Sequence, residues 1–153
     1  ELFLRIDWKL LERVQKKQGQ NLLSKRVPKN LYQVKMSMDN KKVALLAAKA
    51  CDSKKANDIR LININKVSYI TDWILIAEGL SDVQVRSISR SVENDLKDMF
   101  NIEPLRKEGI NEAKWALLDY GDLIVNIFQP EYRKYYDLES FWSNGDNLNI
   151  HDL

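Results

Sequence analysis

Residues 108–142, EGINEAKWALLDYGDLIVNIFQPEYRKYYDLESFW, carry the clearest structural pattern in this 153-residue chain. Two apolar runs, 115–120 and 123–128, have the length and composition of β-strands. Only Gly121 and Asp122 separate the two runs, which predicts a tight hairpin. The aromatic and acidic segment 131–141 that follows predicts a last helix. A hairpin followed by such a helix favours a module that presents a surface to a partner.

Outside this stretch the pattern alternates between helical and strand periodicity. Helices are predicted over 40–53, 82–100 and 131–141, and strands over 57–65, 69–79, 102–106, 115–120 and 123–128. The elements interleave without a strict strand–helix–strand alternation. We therefore predict the α+β class (mixed α/β), with a mixed five-stranded sheet covered by helices.

The bulk composition sets limits on the class of protein. Hydrophobic residues make up 44% and charged residues 30%, which is ordinary for a soluble globular protein. No apolar run approaches the roughly 18 residues of a membrane span, so no membrane partner is expected. The single cysteine, Cys51, cannot form an internal disulfide, which suits a reducing compartment. One Cys and one His, His151 near the chain end, disfavour a zinc site and histidine catalysis.

The charge is unevenly distributed along the chain. Residues 1–35 hold nine Lys or Arg and three Asp or Glu, whereas residues 36–153 hold fifteen and nineteen. We predict a basic extension over 1–38, partly helical or disordered, a folded domain over 39–142 and a flexible tail over 143–153. The extension either contacts RNA or a membrane surface or is only weakly ordered. The acidic domain favours basic partners, and no direct nucleic-acid specificity is expected.

The signals for catalysis are weak. The five glycines do not cluster, so no phosphate-binding loop is predicted. The segment 79–82, GLSD, is similar to the opening of nucleotidyltransferases, but no Asp-x-Asp follows on a strand to hold metal ions. Asp119 and Asp122 flank a tight turn and are poorly placed to share one cation. We predict no catalytic residue, no metal and no cofactor, with a nucleotidyltransferase-like enzyme as the alternative.

Several residues in the hairpin region are candidates for binding. Trp115 is either a core residue or an aromatic anchor of an interface. Asp72 either bonds to local amides in a turn or faces a partner. Asp119, Tyr120 and Asp122 give the hairpin tip a negative and aromatic character, although turn chemistry explains part of that set.

The last predicted helix is rich in aromatic residues. So short a helix cannot bury all of Tyr132, Tyr135, Tyr136, Phe141 and Trp142, so part of this surface is expected to meet a partner or a second copy of the chain. Arg133 and Glu139 are interpreted as a solvated pair that contributes little.

Six motifs occur in order along the chain. They are KANDI (55–59), TDWILIAEG (71–79), GLSDVQV (79–85), Glu108-Gly109, WALLDYGD (115–122) and RKYYDLESFW (133–142). Together they resemble the ribosomal silencing factor family, also called Iojap-like, over residues 40–142. One departure is Asn126, where many members carry His, which argues further against acid–base chemistry.

The resemblance implies both a fold and a function. The fold would be a nucleotidyltransferase-like mixed sheet without the catalytic carboxylates. The protein would bind the large ribosomal subunit through its fourteenth protein and sterically block joining of the small subunit, so that translation falls when nutrients are scarce. Members often form homodimers, and organelle homologues act in large-subunit assembly, which is a further alternative. A bacterial cytoplasm is the favoured location.

The partner-binding residues follow from the matching motif positions. The resemblance implies contacts by Trp115, Leu117, Asp119, Tyr120 and Asp122, with Glu108, Asp72, Tyr136 and Glu139 as further candidates.

Overall fold

A computed structural model describes the backbone of residues 31–150, with side chains from residue 40 onward. The helices are α1 (Leu31–Ser53), α2 (Asp82–Phe100), α3 (Pro130–Tyr136) and α4 (Leu138–Phe141). The strands are β1 (Asn57–Asn63), β2 (Trp73–Glu78), β3 (Arg106–Glu108), β4 (Trp115–Asp119), β5 (Leu123–Phe128) and β6 (Asp146–Leu148). Residues 1–30 of the predicted extension lie outside the described residues, as does His151.

The described strands form one mixed sheet in the order β3-β4-β5-β2-β1-β6. β2 and β5 run parallel to each other, and the other neighbouring pairs are antiparallel. This confirms the predicted α+β class with a mixed sheet. The predicted number of five strands is wrong, because β6 adds a sixth.

Helices cover both faces of this sheet. The side chains of a strand alternate between the faces, so Leu75 and Val125 pack toward α1 and α2, whereas Ile74 and Ile124 point to the opposite face. On that second face they share a core with Leu138 and Trp142 of the C-terminal segment. The fold therefore has three layers, with the long helices on one side and the two short helices on the other.

The long helix α1 corrects the predicted boundary of the N-terminal extension. It begins at Leu31, within the segment assigned to the extension, and continues through Asn40 instead of starting there. No Gly or Pro occurs between residues 31 and 53. A helix that is anchored by packing at its C-terminal half can therefore propagate backward through the polar residues.

The C-terminal region differs most from its prediction. The expected single helix is divided at Asp137, whose φ of 45° is left-handed. The expected flexible tail contains β6, which pairs with Leu61–Asn63 of β1. At Gly145 an added Cβ would lie 2.5 Å from Ile62 Cγ2, so only glycine allows this close approach. Pairing with β1 stabilises β6, although its polar sequence has low strand propensity.

Candidate functional site

The hairpin between β4 and β5 forms as predicted. The Tyr120 N–H donates to the Leu123 carbonyl at 2.8 Å, and Gly121 adopts a φ of 86°. Asp119 is only 1% exposed, and its Oδ1 accepts from the Gly121 N–H at 2.9 Å. The Asp119 carboxylate thus shapes the turn and offers almost no surface to a partner.

The hairpin is tied to the start of β2. The carbonyl of Asp122 accepts from the N–H groups of Asp72 and Trp73 at 3.1 and 3.0 Å. The Asn40 side chain of α1 donates to Asp72 Oδ2 at 3.4 Å. These bonds bring α1, β2 and the hairpin together at one end of the sheet.

Two neighbouring cavities lie at this end. One, of about 580 Å³, is lined by Asp72, Asp119 and Asp122 among others. The second, of about 300 Å³, includes Tyr120 and again Asp122. Leu105 lines both cavities and is 78% exposed. We call this region the hairpin end, defined as residues 64–72, 101–105 and 119–122 together with Asn40 and Val43.

The hairpin end is acidic. Among the described residues that line its two cavities, four are acidic and none is basic; the acidic residues are Asp72, Glu103, Asp119 and Asp122. The Lys97 ammonium, 2.9 Å from Glu103 Oε1, lowers the pKa of that carboxyl, so Glu103 is ionised at neutral pH. Burial, with a smaller contribution from Glu93, raises the pKa of Tyr120, so its phenol stays neutral. A negative rim therefore surrounds an exposed leucine.

Trp115 and Leu117, predicted as contact residues, are fully buried on the second face of the sheet. The Trp115 ring stacks on Phe128 and contacts Tyr136, with centroid separations of 4.8 and 4.7 Å. This burial leaves no side-chain surface for a partner, so it corrects the prediction for both residues. For Trp115 the alternative interpretation, a core residue, holds.

The predicted residues Tyr136 and Glu139 lie away from the hairpin end. Tyr136 is half-buried against Trp115, and Glu139 accepts from Arg133 Nε at 2.6 Å. The Arg133 side chain is only 6% exposed and also lies 3.3 Å from both Asp58 Oδ2 and Glu78 Oε1. The prediction of a solvated Arg133–Glu139 pair is therefore wrong: this arginine fixes α3 and α4 to the strands.

Glu108, the remaining predicted contact, lies at the far end of the edge strand β3. It pairs opposite Leu117, and its Oε1 lies 3.4 Å from Arg106 Nε. Of the nine predicted residues, the structure therefore brings Asp72, Asp119, Tyr120 and Asp122 together and separates the other five. The sequence missed Leu105. Its only signal was an apolar residue between Pro104 and Arg106, in a segment too short to bury it.

Asn126 has a structural role in the centre of the sheet. It is fully buried, accepts from the Trp115 indole N–H at 3.0 Å and donates to the Leu75 carbonyl at 3.4 Å. Both bonds use the neutral amide, so this position provides no acid or base for chemistry in this chain.

The GLSDVQV motif also has a structural role. The Gln84 side chain accepts from the Leu80 N–H at 2.7 Å and donates to the carbonyls of Lys54 and Lys55. It thus links the start of α2 to the end of α1. An added Cβ at Gly79 would lie 2.9 Å from Val85 Cγ2, which explains the glycine by close packing rather than by phosphate binding.

Residues 31–150 were also searched for other kinds of site. No group of three or more His, Cys, Asp or Glu side chains in this part of the chain could hold a metal ion. None of its helices is both long and apolar enough to cross a membrane. Cys51 is buried, and the loss of solvation raises its pKa to about 12, so its thiol is a poor nucleophile.

Comparison with known proteins identifies the family. Residues 37–153 match the family described as "Ribosomal silencing factor during starvation". The ribosomal silencing factor of Bacillus subtilis is 39% identical over 107 residues, which cover 70% of this chain and 90% of that protein. The chloroplastic protein Iojap of Zea mays is 31% identical over 70% of this chain and 46% of its own length.

A solved structure supports the same assignment. A crystal structure of a protein from Chromobacterium violaceum has a TM-score of 0.65 at 30% identity, covering 67% of this chain and 85% of that one. The family match extends to residue 153, so the segment predicted as a tail is part of the family domain. The chain belongs to the ribosomal silencing factor family, whose members are ribosome-binding regulators and not enzymes.

Proposed function

We propose that the protein binds the large ribosomal subunit through its fourteenth protein, with the hairpin end as the contact surface. Bound there, the body of the protein sterically excludes the small subunit, and translation is repressed. The observation that supports this assignment is the exposed Leu105 within an acidic rim that includes Asp72 and Asp122. An apolar anchor surrounded by charge is the usual composition of a specific protein interface.

Charge favours a protein partner over bare RNA. A rim of carboxylates attracts a basic ribosomal protein and speeds the encounter, whereas it repels the phosphate backbone. This mechanism needs no catalytic group, because a bound body of this size blocks subunit joining by its volume alone. The bacterial relatives support a bacterial cytoplasmic setting for this activity.

We also propose that the protein forms a homodimer. Tyr135 and Phe141 are 79% and 48% exposed on α3 and α4, and burial of such aromatic surface between two copies would favour association. Light scattering should give twice the monomer mass for the parent and a smaller mass for Tyr135→Glu. A monomeric parent would contradict this part of the proposal.

The ribosome contact is tested by placing one charge at the centre of the hairpin end. Leu105→Asp should weaken co-sedimentation with purified large subunits at least ~10-fold, as loss of an interface anchor does. Leu80→Asp is the matched control, because Leu80 is 64% exposed at the opposite end of β2. Circular dichroism checks the fold of both variants. Equal binding by the two variants would show that the hairpin end is not the contact surface.

A further inference from the structure

The basic N-terminal segment joins the body at its acidic end. Residues 1–30, which lie outside the described residues, carry eight Lys or Arg and three Asp or Glu, a net charge of +5. The chain enters the described structure at Leu31 and follows α1 to Asn40, which lines a cavity of the hairpin end. Asn40 also donates to Asp72. Segment and surface are thus opposite in charge and close in the fold.

The covalent connection allows the segment to return to this surface. The helix between Leu31 and Asn40 adds only about 13 Å at the usual rise per residue. Thirty extended residues reach up to about 100 Å, so length does not limit the contact. A tether of this length keeps its end at roughly millimolar effective concentration. Even a weak contact would therefore be substantially occupied.

The composition of the segment suits the hairpin end in a second respect. Leu2, Ile6, Leu10 and Val14 recur at helical spacing, with basic residues between them at Arg5, Lys9 and Arg13. A basic segment with an apolar stripe offers charges for Asp72 and Asp122 and an apolar contact for Leu105. The proposed ribosomal partner would use the same chemistry.

We propose that residues 1–30 dock on the hairpin end of their own chain and compete with the large subunit for it. The inference rests on the proposed function, since it names the regulation of that same surface. Ribosome binding then requires displacement of the segment. The segment lowers the apparent affinity by the fraction of molecules in which the surface is already covered.

The first test uses the full chain without ribosomes. A carbodiimide condenses a lysine amine with a carboxylate in direct contact. Peptide mass spectrometry should find links from Lys9, Lys16 or Lys17 to Asp72 or Asp122 that persist on dilution. The exposed carboxylates of Asp52 and Glu131, at the opposite end of the sheet, are internal controls. Absence of links to the hairpin end, or equal linking to the controls, would overturn the proposal.

The second test measures competition by charge reversal in the full chain. The triple variant Lys9→Glu, Lys16→Glu, Lys17→Glu should bind large subunits about 3- to 10-fold more tightly, because the competing segment no longer covers the surface. The matched control Lys49→Glu, Lys54→Glu, Lys55→Glu changes the net charge equally at exposed positions toward the end of α1. Equal binding by the two variants, or weaker binding by the segment variant, would contradict competition.

The two tests separate the inference from the proposed function. If the parent and both variants fail to bind large subunits, the proposed function fails, whereas the crosslinks still report on the segment. If binding occurs but the crosslinks are absent, the proposed function stands and the competing segment is excluded.

Discussion

Buried side chains shape the hairpin end without contacting a partner themselves. Asp119 closes the turn, and Asn126 satisfies the indole of Trp115 behind it. The sequence could not separate these roles from binding, because Trp and Asp occur both in interfaces and in cores or turns. Burial decides the matter: four of the five matched positions from Trp115 to Asp122 have half or less of their side chains accessible, and only Asp122 is exposed. The tight turn itself was predictable, because Gly121 provides the positive φ that it requires.

Replacing Asn126 tests the buried hydrogen bonds. Asn126→Ala leaves the Trp115 indole N–H buried without its acceptor, and we expect a loss of about 1–3 kcal/mol in the free energy of unfolding. Urea denaturation followed by tryptophan fluorescence measures the change. Asn94→Ala, an exposed substitution on α2, should shift stability by no more than about 0.5 kcal/mol. A similar small shift for Asn126→Ala would show that the indole finds another partner.

A strained backbone position offers the opposite effect. Lys55 is exposed and has a φ of 60°, a conformation that costs a non-glycine residue about 1–2 kcal/mol. We expect Lys55→Gly to raise the free energy of unfolding by about 0.5–1 kcal/mol, after the entropy cost of glycine. Lys54→Gly, beside it but without a positive φ, should lower stability. Thermal and urea unfolding of the pair would contradict this if both variants lose stability.

At the scale of elements, long amphipathic segments were predictable and short paired ones were not. Helix α2 has the predicted bounds because Ser81 caps its start and Asn101 ends it with a φ of 54°. The strand β6 was missed, because three polar residues acquire strand structure only by pairing with β1. The break at Asp137 was also missed, because any of several polar residues could have taken the left-handed conformation.

The attachment of α3 to the sheet depends on Arg133. Arg133→Ala leaves the carboxylates of Asp58, Glu78 and Glu139 without their shared cation, and loss of a buried partner costs about 3–5 kcal/mol. Because Asp58 is half exposed, we expect the lower part of that range. Denaturant unfolding measures the change, and Lys134→Ala on the exposed side of α3 is the control. Equal stabilities would indicate that aromatic packing alone holds α3.

The first turn of α2 predicts an acid-dependent contribution to stability. Hydrogen bonds from Lys114 and then Gln129 lower the pKa of Asp82 in the folded state. A lowered pKa gives stability that is present above the unfolded value, near 4, and is lost as pH falls through the folded pKa. The stability of Asp82→Asn should therefore fall less steeply than that of the parent below about pH 5. Lys114→Met should flatten the parent's curve in the same way, and unchanged slopes would exclude this linkage.

On the scale of the whole molecule, the sheet separates two ends with different chemistry. The hairpin end carries the acidic rim, whereas the opposite end carries the Gln84 link and the exposed Leu80. The family motifs predicted the fold and the family. They did not predict which end binds, because most motif residues stabilise the sheet or its helices.

Binding through an acidic rim should depend on salt. Asp122→Lys should slow association with large subunits and weaken its dependence on ionic strength, because a rim charge acts mainly on the encounter rate. Stopped-flow measurements at several salt concentrations test this. Glu131→Lys is the control, an exposed charge reversal at the opposite end of the sheet. If both variants associate equally fast, long-range attraction does not guide the hairpin end to its partner.

The direction of β6 has a practical consequence for imaging. β6 runs antiparallel to β1, so it leads from Asp146 beside Asn63 toward Leu148, away from the hairpin end. A fluorescent reporter fused after this strand would leave the hairpin end clear. The same reporter fused ahead of α1 would crowd it, so tagged forms of one protein could differ in how they colocalise with ribosomes.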